Sequence, residues 1–199
     1  MSLDEVRVIA VVYFAVFIPL LIYIFRKSAL PNWVPTFYIV GIVVCALGWE
    51  LWFTFGWLNG DPVSIRRSEA LNYWLPQNIN WLMNSMGDSG TVLLGGSWLM
   101  WLSHNKNNLI FQKWKWSAFV VLLIWCIGQN IFVEMFLYHD QLAEGKDLSW
   151  APLSPLGPYI NPVLFEFNGR TIMLQSQMPW FILPWFFYRT LINLNSSSD

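Results

Sequence analysis

Three carboxylic acids, Glu50, Asp88 and Glu134, sit inside long apolar runs of this chain. An ionisable group at mid-membrane depth costs roughly 2.5–3.5 kcal/mol on insertion scales, so each needs compensation. Two carboxyls sharing a dry pocket divide the work of one proton, one holding it and the other taking it, which is the equipment of a proton-transfer site. Counted from the ends of their apolar runs, Glu50 and Asp88 lie at a common depth of roughly 10–12 Å. Helical spacing then gathers Asn84, Asp88 and Thr91 on one face, Asn130 and Glu134 on another, and Glu50 with Thr54 on a third. Gln129, Gln177 and Trp180 fall at comparable depths, and Trp49, Trp52 and Trp125 are deep as well. A polar pocket walled by aromatics is the simplest arrangement that buries all of these.

The same residues also fit a structural role as interhelical hydrogen-bond glue, worth about 1 kcal/mol per contact. Glu134, near the outer end of its run, is placed to snorkel out of the membrane. Other chemistries fare worse. His104 and His139 stand at the ends of runs with no second His or Cys at ligand spacing, so no metal site is expected. No Lys lies within a run, which removes a retinal Schiff base, and neither a phosphate loop nor a serine elbow occurs. Cys45 and Cys126 are lone apolar thiols, and no disulfide is expected.

The elements that must carry these groups follow from composition. The chain has 199 residues, of which 56% are hydrophobic and only 12% charged; its mean hydropathy is +0.44. That charge content is about half that of a soluble domain. An all-α, multi-pass membrane bundle of about five transmembrane helices is expected, each span needing about 20 residues. The spans are predicted at Val8–Phe25, Phe37–Leu58, Trp81–Ser103, Trp116–Tyr138 and Ile172–Asn193, with Gly87, Gly90, Gly95 and Gly96 allowing close approach to the third. Interfacial positions are expected for Trp33, Trp114 and Trp116. Residues 1–193 form one domain, with an outer loop over 139–171 and a disordered tail at 194–199. The loop carries Pro152, Pro155, Pro158 and Pro162 and is too apolar for a linker, so a cap over the bundle mouth is expected.

Arg26, Lys27, Lys106, Lys113, Lys115 and Arg189 fall on one side, and Arg7, Arg66, Arg67, Lys146 and Arg170 on the other, together with most of the acids. That bias predicts an outer or lumenal N-terminus and a cytoplasmic C-terminus, in the endoplasmic reticulum of a eukaryote or the inner membrane of a bacterium. A net charge of −1 without basic clusters excludes a nucleic-acid partner.

Span two reads Glu50-Leu-Trp-Phe, span three sets Asp88 three residues before Thr91 and eight before Gly96, and span four contains Gly128-Gln129 before an acidic loop. Span five reads Gln177-Met-Pro-Trp180-Phe-Ile-Leu-Pro184. Over about 37–192 this order resembles the emopamil-binding protein and sterol isomerase family, whose five-helix unit is the EXPERA domain. The resemblance implies a pocket for a membrane lipid or sterol-like ligand and a cofactor-free double-bond shift through a carbocation. Glu50 and Asp88 would be the acid–base pair, Gln177 its polar partner and Trp180 the aromatic facing the cation. Asn84, Thr91, Gln129, Asn130, Glu134 and Trp52 would line the ligand, and a homodimer is compatible with this reading. Two departures stand out: Ala46 replaces the family's His one turn before Glu50, and Asp88 replaces a Glu. A non-catalytic sterol or lipid binder of the same fold therefore stays open, as does a small proton-coupled transporter or assembly subunit.

Overall fold

The computed structural model describes residues 1–57, 60–146, 148 and 159–196, and it is mostly helical. Of the outer-loop residues read from the sequence, Asp147, Pro152, Pro155 and Pro158 lie outside the described residues. Helix α1 spans Leu3–Arg26; Ser2 caps its start, its hydroxyl accepting from the Glu5 N–H while the Glu5 carboxylate accepts from the Ser2 N–H. Helices α2 (Val34–Leu47) and α3 (Trp49–Phe55) form a pair bent by 52° at Gly48. A Cβ at Gly48 would lie 2.7 Å from the Val44 carbonyl oxygen, so the bend needs glycine. Short helices α4 (Val63–Arg66) and α5 (Glu69–Trp74) follow.

Helices α6 (Gln77–Gly87) and α7 (Gly95–Ser103) are joined by a π-helical stretch, Asp88–Leu94. Helix α8 (Trp116–Phe132) also passes into a π-helical stretch, Val133–Tyr138. A two-stranded antiparallel hairpin, β1 (Val163–Phe167) and β2 (Arg170–Met173), then leads directly into α9 (Leu174–Ser196). Asn168 and Gly169 turn the hairpin with positive φ at both positions, the geometry that matches strand twist. The all-α expectation is thus corrected by one hairpin, and span five starts as strand at Ile172 before becoming helix at Leu174. Helix α9 runs to Ser196, three residues into the predicted tail, and residues 197–199 lie outside the described residues.

Two helical stretches, Leu3–Ala29 and Trp116–Tyr138, are long and apolar enough to cross a membrane, and the bent α2–α3 pair is a third if it counts as one span. These features are consistent with membrane association. The main core joins α2, α7, α8 and α9 through Phe37, Met100, Leu122, Cys126, Tyr188 and Leu191. A second cluster, with Val8, Val16, Leu71 and Met83, seats α1 against α5 and α6. Trp33 is not a plain interfacial anchor: it packs on this core, its ring 5.5 Å from Phe37 and 5.4 Å from Phe111.

Three of the four glycines in span three meet neighbouring helices. Gly87 faces Ala15, Gly90 faces Pro19 and Tyr38, and a Cβ at Gly96 would sit 2.5 Å from Leu122 Cδ1. Gly95 meets no neighbouring helix, and Gly128 is exposed with nothing within 4 Å. Gly96→Val is therefore expected to cost about 1–3 kcal/mol by overpacking. Gly128→Val should be close to neutral. Thermal denaturation of the two variants in detergent checks the contrast.

One end of the molecule is tied by ions and buried polar groups. Asp140, at the end of α8, accepts from Arg7 of α1, and its second oxygen lies 2.6 Å from Arg170 Nη2 of β2. Arg67 is buried; its Nε donates to Asn72 Oδ1 at 2.8 Å, one terminal nitrogen donates to Asn80 Oδ1 at 3.0 Å, and the other to the Leu75 carbonyl. Burial pushes Arg67 down to about 10, which leaves it charged at neutral pH. Arg67→Met would strand three acceptors and should cost about 3 kcal/mol or more. A loss below about 1 kcal/mol in a melting experiment would show that water replaces the guanidinium there.

Candidate functional site

Each of the three membrane-depth carboxyls stands at an irregularity of its helix. Glu50 is two residues past the Gly48 bend, Asp88 opens one π-helical stretch and Glu134 is the second residue of the other. A π turn displaces side chains from the helical register and is found disproportionately at functional sites.

Glu50 and Asp88 are cross-linked through each other's neighbours. Asn84, one turn before Asp88, donates through Nδ2 to Glu50 Oε2 at 3.3 Å. Trp49, adjacent to Glu50, donates from its indole to Asp88 Oδ2 at 2.8 Å. Thr54 adds a hydroxyl bond to Glu50 Oε2 at 2.9 Å. Glu50 is buried, and every donor to the pair is neutral; no ion pair reaches either carboxyl among the described residues. Trp180 of α9 is buried against Trp49, with ring centroids 5.2 Å apart in an edge-to-face arrangement. A carboxyl, an indole face and a second indole thus form one continuous patch.

Glu134 belongs to a second cluster and does not snorkel; it is fully buried. Its Oε1 accepts from the Met173 N–H at 2.9 Å, and its Oε2 accepts from Gln177 Nε2 at 2.7 Å and from the Ser176 hydroxyl. Gln177 is therefore a partner of Glu134 rather than of the Glu50–Asp88 pair. Asn130, one turn before Glu134, donates to the Ser176 carbonyl at 2.9 Å and stitches α8 to α9. The Gln177 Oε1 is buried without a partner.

Three further candidate residues make their contacts outside the carboxyl clusters. Thr91 turns away from Asp88 and donates to the Ala15 carbonyl of α1 at 2.7 Å. Gln129 folds back onto the Cys126 carbonyl at 2.9 Å. Trp52 stacks on Trp57 at 6.3 Å, with its indole N–H buried and without a partner among the described residues. The indole of Trp81 donates to the Ala46 carbonyl, one turn before Glu50, at 2.8 Å.

Three residues join the sites beyond the candidates, Trp49 having been read only as a deep aromatic and Ser176 and Tyr138 not at all. Trp49 connects the carboxyl pair, Ser176 bridges Glu134 to α9, and Tyr138 packs on Phe53 at 4.7 Å within electrostatic reach of all three carboxyls. Adjacency to Glu50 and to Gln177 was the available signal for the first two. For Tyr138 the sequence carries none. No group of three His, Cys, Asp or Glu capable of holding a metal occurs among the described residues. Chemically, the arrangement offers two carboxyls bonded only to neutral donors and an aromatic wall beside them, suited to giving and taking a proton near developing positive charge. Compared with family models, with curated proteins and with solved structures, the chain matches none of them.

Proposed function

We propose that the chain is a five-span membrane protein that shifts a carbon–carbon double bond in a sterol-like or polycyclic isoprenoid lipid, with Glu50 and Asp88 handling the proton. In this reading α1, the bent α2–α3 pair, the continuous helix 77–103, α8 with its π-helical end, and α9 each cross once. The N-terminus lies outside and the C-terminus in the cytoplasm, supported by the gathering of Arg7, Asp140 and Arg170 at one end and by the acid-free loops at the other.

The observation that carries the reading is the cross-linked pair itself, two carboxyls bonded to each other's neighbours through neutral donors, with no ion pair to either among the described residues and the buried Arg66 in electrostatic reach of Glu50 alone. In the reaction, one protonated carboxyl adds its proton to an alkene carbon, the π electrons form the new C–H bond, and a carbocation remains. The other carboxylate removes a proton from the adjacent carbon, and those electrons close the new double bond. Nothing is oxidised or reduced, so no cofactor is required. Trp49 and Trp180 supply π faces beside the cation.

A second reading, lipid binding without turnover, is favoured by Ala46, because the family's His is missing there. The two are separated by purifying the protein in detergent, extracting the bound lipids and identifying them by mass spectrometry in wild type, Glu50→Gln and Asp88→Asn. Enrichment of a sterol or polycyclic isoprenoid supports the lipid site. Conversion of its double-bond isomer by wild type alone makes the protein an enzyme, and conversion by none makes it a binder. Bulk phospholipid alone, unchanged by both substitutions, sinks both readings and leaves a transport or assembly role for the carboxyls.

A further inference from the structure

One cleft is lined by none of the three carboxyls. It encloses about 580 Å³, inside the range of about 300–1,000 Å³ typical of small-molecule sites, and neither Glu50 nor Asp88 lines it. One wall is the C-terminal half of α1, where Pro19, Ile22, Tyr23 and Arg26 recur at the spacing of a single helix face. Beyond Val16 the helix buries no residue, although Pro19 still meets Gly90. The opposite wall is built by Tyr38 of α2 and by Gly95, Trp98 and Trp101 of α7, so the cavity is apolar along its length. Tyr38 adds a buried hydroxyl without a hydrogen-bond partner among the described residues.

The mouth is basic. The two loops that frame it, 27–33 and 104–115, contain Lys27, Lys106, Lys113 and Lys115 and not one acid. Arg26 lines the cleft from the α1 side. On the other side the Lys106 ammonium stands 5.8 Å over the ring of Trp101, itself a wall residue. Cations therefore flank the opening from both loops. An apolar slot ending between two cations is complementary to one kind of membrane molecule.

We propose that this cleft is a specific site for an anionic phospholipid, one acyl chain lying along α1 between Pro19 and Trp98 and the phosphate held at the mouth by Arg26 and Lys106. The site rests on the membrane location of the chain and not on the isomerase reading. Bound there, the lipid covers the α1 face left unburied beyond Val16 and fastens that helix to α2 and α7.

The test uses the detergent-purified full chain and native mass spectrometry, with phosphatidylglycerol and phosphatidylcholine of identical acyl chains as the probes. Wild type is expected to retain one phosphatidylglycerol in preference to phosphatidylcholine. Arg26→Gln and Lys106→Gln are each expected to reduce that preference about fivefold, the effect of one basic residue near an anionic headgroup. Both residues serve at the mouth and not in the core, so these variants do not endanger the fold. Gly95→Leu fills the slot instead; a Cβ there meets nothing nearer than the Gly90 carbonyl oxygen at 3.8 Å, and retention of both lipids should fall. Equal retention of the two lipids by wild type, or a preference untouched by both charge substitutions, overturns the proposal. So does undiminished retention in Gly95→Leu, which would describe lipids coating the outside of the bundle.

Discussion

Glu134→Ala is expected to destabilise the protein by roughly 2–5 kcal/mol, at about 1–3 kcal/mol for each buried donor left without its acceptor. The carboxyl takes three donors at once, from Met173, Ser176 and Gln177, where the hairpin turns into α9. Without it the Met173 N–H and the Gln177 amide are stranded in a site closed to water, because Glu134 is fully buried. Glu134→Gln should recover most of the loss. Its amide oxygen can still accept from Met173, and its NH₂ can donate to the Gln177 oxygen once that amide turns over. Thermal denaturation in detergent, read by circular dichroism, tests the pair of variants. If both lose equally, negative charge itself is required at this position; if neither loses, the cluster does not hold α8 to α9.

The reasons some residues were legible in the sequence and others were not are geometric. Apolar length identifies α1 and α8 because nothing interrupts their hydropathy, and Gly48 then hides in span two because a glycine bend leaves the run apolar. Depth along a helix is a count of residues at 1.5 Å each, so the common level of Glu50 and Asp88 could be read. Azimuth is another matter. Asn84 and Asp88 share a face because α6 is regular up to Gly87, and the Asn84–Glu50 bond follows. Thr91 would share that face in an α-helix, but Asp88–Leu94 is π-helical, where three residues complete less of a turn, and the hydroxyl swings to α1. Gln177 lies at the right height but on the side of α9 that meets α8, so Glu134 claims it. Neither π stretch disturbs the hydrophobic pattern, and so neither announces itself. Asn130 and Glu134 fall four residues apart and do meet one partner element, α9.

Glu50→Gln and Asp88→Asn are each expected to reduce turnover of the isomerisable lipid by about 10²–10⁴-fold, the usual contribution of one general acid or base. The amides are close in shape and keep an oxygen for Thr54 or Trp49, so melting temperatures should change little. The loss should appear in kcat rather than KM, because each carboxyl acts on the proton in flight and not on the apolar body of the ligand. Two halves of one proton transfer fail together, so the double variant should be scarcely worse than the weaker single one. In D₂O the wild-type product should carry deuterium at the carbon that was protonated, since a carboxyl proton exchanges with solvent between turnovers. Trp49→Phe is the finer probe: it keeps the ring against Trp180 but removes the indole N–H that Asp88 accepts, and a loss smaller than that of Asp88→Asn is expected. Full activity in either carboxyl variant would take the proton transfer away from this pair. A product without deuterium would mean that the migrating hydrogen never visits a carboxyl, and the cross-linked pair would then be a structural joint between α3 and α6.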